Sequence, residues 1–152
     1  MLTTEIKRTD QLPAAELLEI LEARVRVFVV EQHCAYQEVD IKDRRAEHVI
    51  LRQNGRLAAY ARIIPSDDKN AVSFGRVLVV KTCRGQGLAR QLILATLARI
   101  NQIAPAKPIK IQAQNYLRHF YADFGFTPIS SVYLEDGIPH VDMLRQPKNQ
   151  AN

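Results

Sequence analysis

The stretch "VVKTCRGQGLARQLIL", Val79–Leu94, decides how this chain is read. A strand-forming run ends, two basic residues and two glycines follow, and a helical pattern starts at once. A helix N-terminus carries unpaired N–H groups and the positive end of its dipole, so a turn of this kind suits an anion such as phosphate. Gly85 and Gly87 let the backbone approach that anion, Ala89 keeps the first helical turn slim, and Arg84 can add a charge-assisted hydrogen bond. A tight turn that merely needs positive φ is the competing reading. Two standard phosphate loops are excluded. GxGxxG needs one more glycine than Gly85-Gln86-Gly87-Leu88-Ala89-Arg90 supplies, and a Walker A loop needs a lysine where Leu88 stands.

Outward from this turn, the pattern predicts a mixed α/β domain in the order β-α-β-β-β-α-β-α-β-β. Glu5 to Thr9 reads as a strand. From Pro13 a helix follows, with Leu17, Leu21, Val25 and Phe28 on one face. His33 to Arg45 reads as a loop. Ala46–Gln53 and Arg56–Ile64 flank Asn54-Gly55, the strongest short hairpin signal. Ser73–Val80 is a strand whose internal Gly75 suggests a bulge. The helix after the glycine pair runs to about Gln102. Ile109–Ala113 is a strand, and Asn115–Phe124 a helix closed by Gly125. A hairpin, Ile129–Leu134 with Ile138–Met143, turns at Asp136-Gly137. Residues 1–146 then form one domain, and the tail from Pro147, residues 147–152, is expected to fray.

A length of 152 residues is enough for one domain with its own core. Cys34 and Cys83 stand in unrelated contexts and form no disulfide framework, which points to a reducing, cytoplasmic setting. No apolar run is long enough to span a membrane, and no metal site is expected, because the four histidines are scattered. A net charge of +5 suits an anionic ligand. The basic residues form no stripe interleaved with aromatics, which argues against a nucleic-acid partner.

Arg84, Gly87 and Ala89 spell Arg-x-x-Gly-x-Ala, which resembles the pyrophosphate loop of the GCN5-related N-acetyltransferases (GNAT). "NYLRHFYADFGF" is similar to the family's helix after its fifth strand, with Asn115 at the start and Tyr121 within. "RVFVVEQHCAYQEVD" (Arg26–Asp40), "GRVLVV" (Gly75–Val80), "FYADFGF" and "DGIPHVDM" (Asp136–Met143) together resemble the bacterial ElaA-like branch. That branch tends to have Asp-Gly where this chain has Asp40-Ile41, and its loop there is longer.

The resemblance implies acetyl-CoA as cosubstrate, bound by Leu78, Val79 and Val80 along the pantetheine arm, by the loop Arg84, Gly85, Gln86, Gly87, Leu88 and Ala89, and by Asn115. An amine, on a small molecule or a peptide, would attack the thioester directly in a ternary complex, with no metal. A homodimer is plausible for this family. A CoA-binding module of the same fold without turnover is the alternative. Tyr121 is the implied general acid for the departing thiolate. The base is less defined. An alkyl amine with pKa ~10.4 is mostly protonated at neutral pH, which costs ~4.6 kcal/mol to reverse. The fourth strand contains no carboxylate, so Glu31 is the first candidate, followed by His48 and His140, for each of which an ordinary hydrogen-bonded strand residue is the competing reading.

Overall fold

A computed structural model describes residues 1–148; of the tail expected to fray, residues 149–152 lie outside them. The strands are β1 (Leu2–Arg8), β2 (Glu47–Gln53), β3 (Arg56–Pro65), β4 (Val72–Val79), β5 (Ile109–Gln114), β6 (Thr127–Pro128), β7 (Tyr133–Glu135) and β8 (Ile138–Arg145). The helices are α1 (Ala14–Val25), α2 (Leu88–Ile103) and α3 (Arg118–Ala122). All strands join one sheet in the order β1-β2-β3-β4-β5-β8-β6, with β7 also on β8. The mixed α/β order is as expected, except that the last hairpin is split: after the Ile129 N–H bonds the Asp142 carbonyl of β8 at 2.8 Å, residues 130–132 leave the sheet before β7.

Both tight turns form where the dipeptides place them. Asn54 and Gly55 take φ of 54° and 81°, and Asp136 and Gly137 take 51° and 78°. These left-handed pairs match the twist of the strands they join.

Successive side chains of a strand point to opposite faces. Val49 and Leu51 therefore enter the larger core with α2, while Ile50 enters a smaller one with Ile20, Phe28, Tyr60 and Leu78. On α2, Leu88, Leu92, Ile93, Leu97 and Ile100 form the buried stripe, and full burial of such a side chain contributes about 1.5–3 kcal/mol. Ile109, Ile111 and Ala113 of β5 and Val141 and Met143 of β8 face the same core. The opposite face of these two strands is polar, carrying Lys110, Gln112, Gln114, His140 and Asp142.

The buried face of α1 differs from the expected one. Ile20 and Arg24 are fully buried, whereas Leu17 and Leu21 line a separate cavity of about 480 Å³ and Val25 is exposed. The turn of the helix follows from Arg24, whose guanidinium is held by Glu38 (2.9 Å) and Asp43 (2.7 Å) from the segment read as a plain loop. Arg62 joins Asp43 (2.9 Å) to Asp40 (2.8 Å), and Arg76 pairs with Glu38 and Asp40. Three arginines thus meet three acids below or at the protein surface. Their mutual pairing is what makes such burial tolerable. It also holds Asp43 far below the usual carboxylate range: burial would raise it, and the Arg24 and Arg62 bonds more than reverse that.

After Val25 the helix widens into a π-helical turn, Arg26–Glu31, a feature concentrated at functional sites. Phe28 is buried there, and Glu31 is brought towards the glycine loop. The bulge expected at Gly75 occurs beside it. The β3–β4 register shifts between Tyr60 and Arg62, and Arg76 rather than Gly75 adopts the left-handed φ, 52°.

Candidate active site

β4 and β5 run parallel but are paired only at Val72–Ile109, so beyond that bridge they part. A cavity of about 920 Å³ opens between them. In an antiparallel ladder a residue's N–H and C=O point to the same neighbour, and adjacent residues alternate. The Val80 N–H bonds the Ala58 carbonyl of β3 at 2.8 Å, so Val79 turns its backbone groups to the parted side. A strand edge with unpaired groups binds extended, amide-bearing ligands by adding to the sheet.

At the end of that edge lies the loop. Lys81–Cys83 makes a short 3-10 turn, and α2 starts at Leu88 with Gly87 as its N-cap at φ 76°. Gly85 has φ 81°, and an added Cβ at either glycine would meet no protein atom within 4 Å. The glycines are thus required by backbone conformation, and open space lies over the helix N-terminus. With no side chain capping α2, its first N–H groups are left for a ligand. Arg84 is already engaged: its Nε donates to the Val79 carbonyl (2.9 Å) and its Nη2 to Glu31 Oε1 (2.8 Å). These bonds tie the loop to the tip of β4 and to the π-helical turn.

Of the residues singled out in the sequence, Glu31, Leu78, Val79, Arg84, Gly85, Gly87, Leu88, Ala89, Tyr121 and His140 all line this cavity. Val80, Gln86 and Asn115 lie beside it. Gln86 accepts from Gln53 (3.0 Å) and Asn115 from Arg118 (3.2 Å). Tyr121 stands on α3 among Phe74, Phe120 and Phe126, edge-on to the last two. Among the described residues no group hydrogen-bonds its hydroxyl. Burial raises the phenol above its ordinary range, so it holds its proton at neutral pH.

His48 lies apart from the cavity. It is buried on β2, its ring nitrogens 2.6 Å from the Tyr60 hydroxyl and 2.7 Å from Thr9 Oγ1, and burial pushes it down to about 4. His140 is half-buried on β8. Its Nδ1 lies 2.7 Å from the Ile138 carbonyl, and its ring stacks on Tyr133.

The other wall of the cavity holds none of the candidate site residues named from the sequence. Tyr36, Asp40, Arg62 and Arg76 belong to it, with the Arg76 guanidinium 5.3 Å over the Tyr36 ring. The available signal was the phase of Arg24, four residues from Ile20 and from Phe28, which put a charge on a buried stripe. Among the described residues no cluster of three or more His, Cys, Asp or Glu side chains could hold a metal, and no helix is long and apolar enough to cross a membrane.

A parted parallel strand pair ending in a glycine loop at a helix start suits an extended, amide-bearing ligand with an anionic end. Residues 14–146 match the acetyltransferase (GNAT) domain family, and the chain belongs to it as an acyltransferase. It is 42% identical over 140 residues to protein ElaA of Escherichia coli, covering 90% of this chain and 92% of that protein, which places it in the ElaA-like branch. The crystal structure of E. coli ElaA superposes with a TM-score of 0.90 at 40% identity, covering 96% of this chain and all of that one. An acyl-CoA N-acyltransferase from Pseudomonas aeruginosa gives 0.90 at 38% identity, covering 95% of this chain and 99% of the other.

Proposed function

We propose that the chain moves an acetyl group from acetyl-CoA to a primary amine, carried by a small molecule or a peptide, by direct attack in a ternary complex. The observation that carries this reading is the open Val79 N–H on the parted edge of β4, running into the loop of Gly85 and Gly87 over an uncapped helix start. Pantetheine amides match the edge, and the pyrophosphate matches the N–H groups and the basic loop. The Val79 N–H would stabilise the oxyanion that develops on the thioester carbonyl. Tyr121, protonated and unbonded, would give its proton to the leaving thiolate, work that typically contributes ~10²–10⁴-fold. The reaction fits a cytoplasmic enzyme acting without a metal. A homodimer is compatible with it.

Titration calorimetry of acetyl-CoA tests the cosubstrate, with the Arg84→Ala/Gly87→Asp double variant as control. Binding by the wild type that the variant loses is the expected result. Thiol release with a panel of primary amines then tests transfer, and Tyr121→Phe should bind acetyl-CoA normally while slowing release. Binding without release by the wild type would leave a CoA-binding module of the same fold. No binding would overturn the proposal.

A further inference from the structure

The acceptor amine must lose a proton before it can attack, and the cavity lining holds one imidazole, that of His140, with an unused basic lone pair. A backbone carbonyl only accepts hydrogen bonds, so the 2.7 Å contact from His140 Nδ1 to the Ile138 oxygen places the ring proton on Nδ1. Nε2 then carries the lone pair, and among the described residues nothing donates to it. Tyr133 fixes the ring plane by stacking at 6.2 Å and 24°, while its own hydroxyl donates to Asp142. The imidazole is therefore held in one tautomer and one orientation on a rigid strand. On β5, Gln114 lies directly across from His140 and is the last strand residue before the turn into α3, which carries Tyr121.

The other bases read from the sequence are engaged or lie elsewhere. Glu31 is ion-paired with Arg84 at 2.8 Å. His48 lies outside the cavity with both ring nitrogens bonded. The Tyr133 proton is committed to Asp142. Around His140, the titratable groups offered by the neighbouring elements are Tyr133 and Glu135 of β7, Asp136 of the turn, Asp142 of β8, Cys34 and, at the other end of β5, Lys110. Cys34 closes on the Asp136 carbonyl at 3.4 Å.

We infer that His140 is the general base that deprotonates the acceptor amine, an assignment resting on the acetyl-transfer reading above. One proton of the ammonium passes to Nε2. The freed nitrogen lone pair forms the C–N bond with the thioester carbon, the C–S bond breaks, and its electron pair leaves on sulfur. The sulfur takes the Tyr121 proton, the excess proton on the new amide nitrogen restores the phenol, and His140 returns its own to solvent. The sum is one acetamide, one CoA thiol and one released proton.

Two measurements test this. Nitrogen-15 spectra of histidine-labelled protein should show His140 as the Nδ1–H tautomer with an unprotonated Nε2 at high pH; an Nε2–H tautomer overturns the assignment. His140→Gln is then compared with the wild type using the panel amine that the wild type turns over fastest. The variant should bind acetyl-CoA as the wild type does and lose ~10²-fold or more in turnover at neutral pH. That deficit should shrink about tenfold per pH unit towards the amine's own pKa of ~10.4, where the base is no longer needed. A variant with unchanged turnover, or a deficit equal at every pH, would sink the assignment while leaving acetyl transfer intact. A wild type that binds acetyl-CoA but acetylates no amine would overturn acetyl transfer and this step together.

Discussion

His48 should make the fold sensitive to mild acid. Thr9 has one hydroxyl proton, and it goes to the Asp43 carbonyl; Thr9 Oγ1 must therefore accept from His48 Nε2–H. That leaves Nδ1 to accept from the Tyr60 hydroxyl at 2.6 Å. A second ring proton would land on Nδ1 and break this chain inside a site where the side chain is 1% exposed. Burial is the largest cause of the depressed value, with Arg24 and Arg62 adding to it and Asp43 opposing, and the result is about 4 against an ordinary 6.5. Because the folded value lies below the unfolded one, the stabilisation is complete above the unfolded pKa and is lost as pH falls through the folded one. Each unit is worth about 1.4 kcal/mol, so roughly 3 kcal/mol is at stake in all, of which about 2 kcal/mol disappears between pH 7 and pH 5. Urea denaturation midpoints at pH 8, 7, 6 and 5 read this directly, with His48→Gln as the comparison. The wild type should lose about 2 kcal/mol more than the variant over that range. Parallel pH dependences would refute the buried-neutral assignment.

Removing one member of the arginine–acid cluster should be costly. Arg24→Met leaves buried Glu38 to Arg76 alone and Asp43 to Arg62 alone, and should destabilise the fold by about 3 kcal/mol in guanidinium denaturation. Gly87→Ala places a Cβ at φ 76°, where only conformation opposes it; a loss of about 1–2 kcal/mol should appear in thermal unfolding.

What was legible in the sequence was local. Asn54-Gly55 and Asp136-Gly137 each dictate a left-handed pair, and the glycines at 85 and 87 can be read as a loop that ends at a helix start. The same spacing exposed the family loop. What was not legible depends on partners far along the chain. Arg24 is in phase with Ile20 and Phe28, but a charge there reads as solvent-facing until Glu38 and Asp43 are placed beside it, so the buried face of α1 was misjudged and the segment before β2 read as a loop with no interior role. The bulge was sensed through Gly75, but its strained residue is Arg76, whose side chain is held by Glu38 and Asp40. The β-branched pair Val29-Val30 marks where the α-helix weakens, but not that it widens into a π-helical turn with Glu31 beside Arg84.

The single bridge at Val72–Ile109 also bears on how the chain assembles. β1, β2, β3 and β4 are consecutive in both chain and sheet, and β5 to β8 pair among themselves. The molecule is thus two half-sheets, in which β2, β3 and β4 follow one another through short turns while β1–β2 and β5–β8 close over intervening helices, and contacts of the first kind form early because their loops are short. The seam between them is the costly step, made by a crossover through α2 and clasped at one rung. The cleft stands on that seam, so a ligand lying across it would bind to both halves only once they have met, and would reward the last event of folding rather than the first.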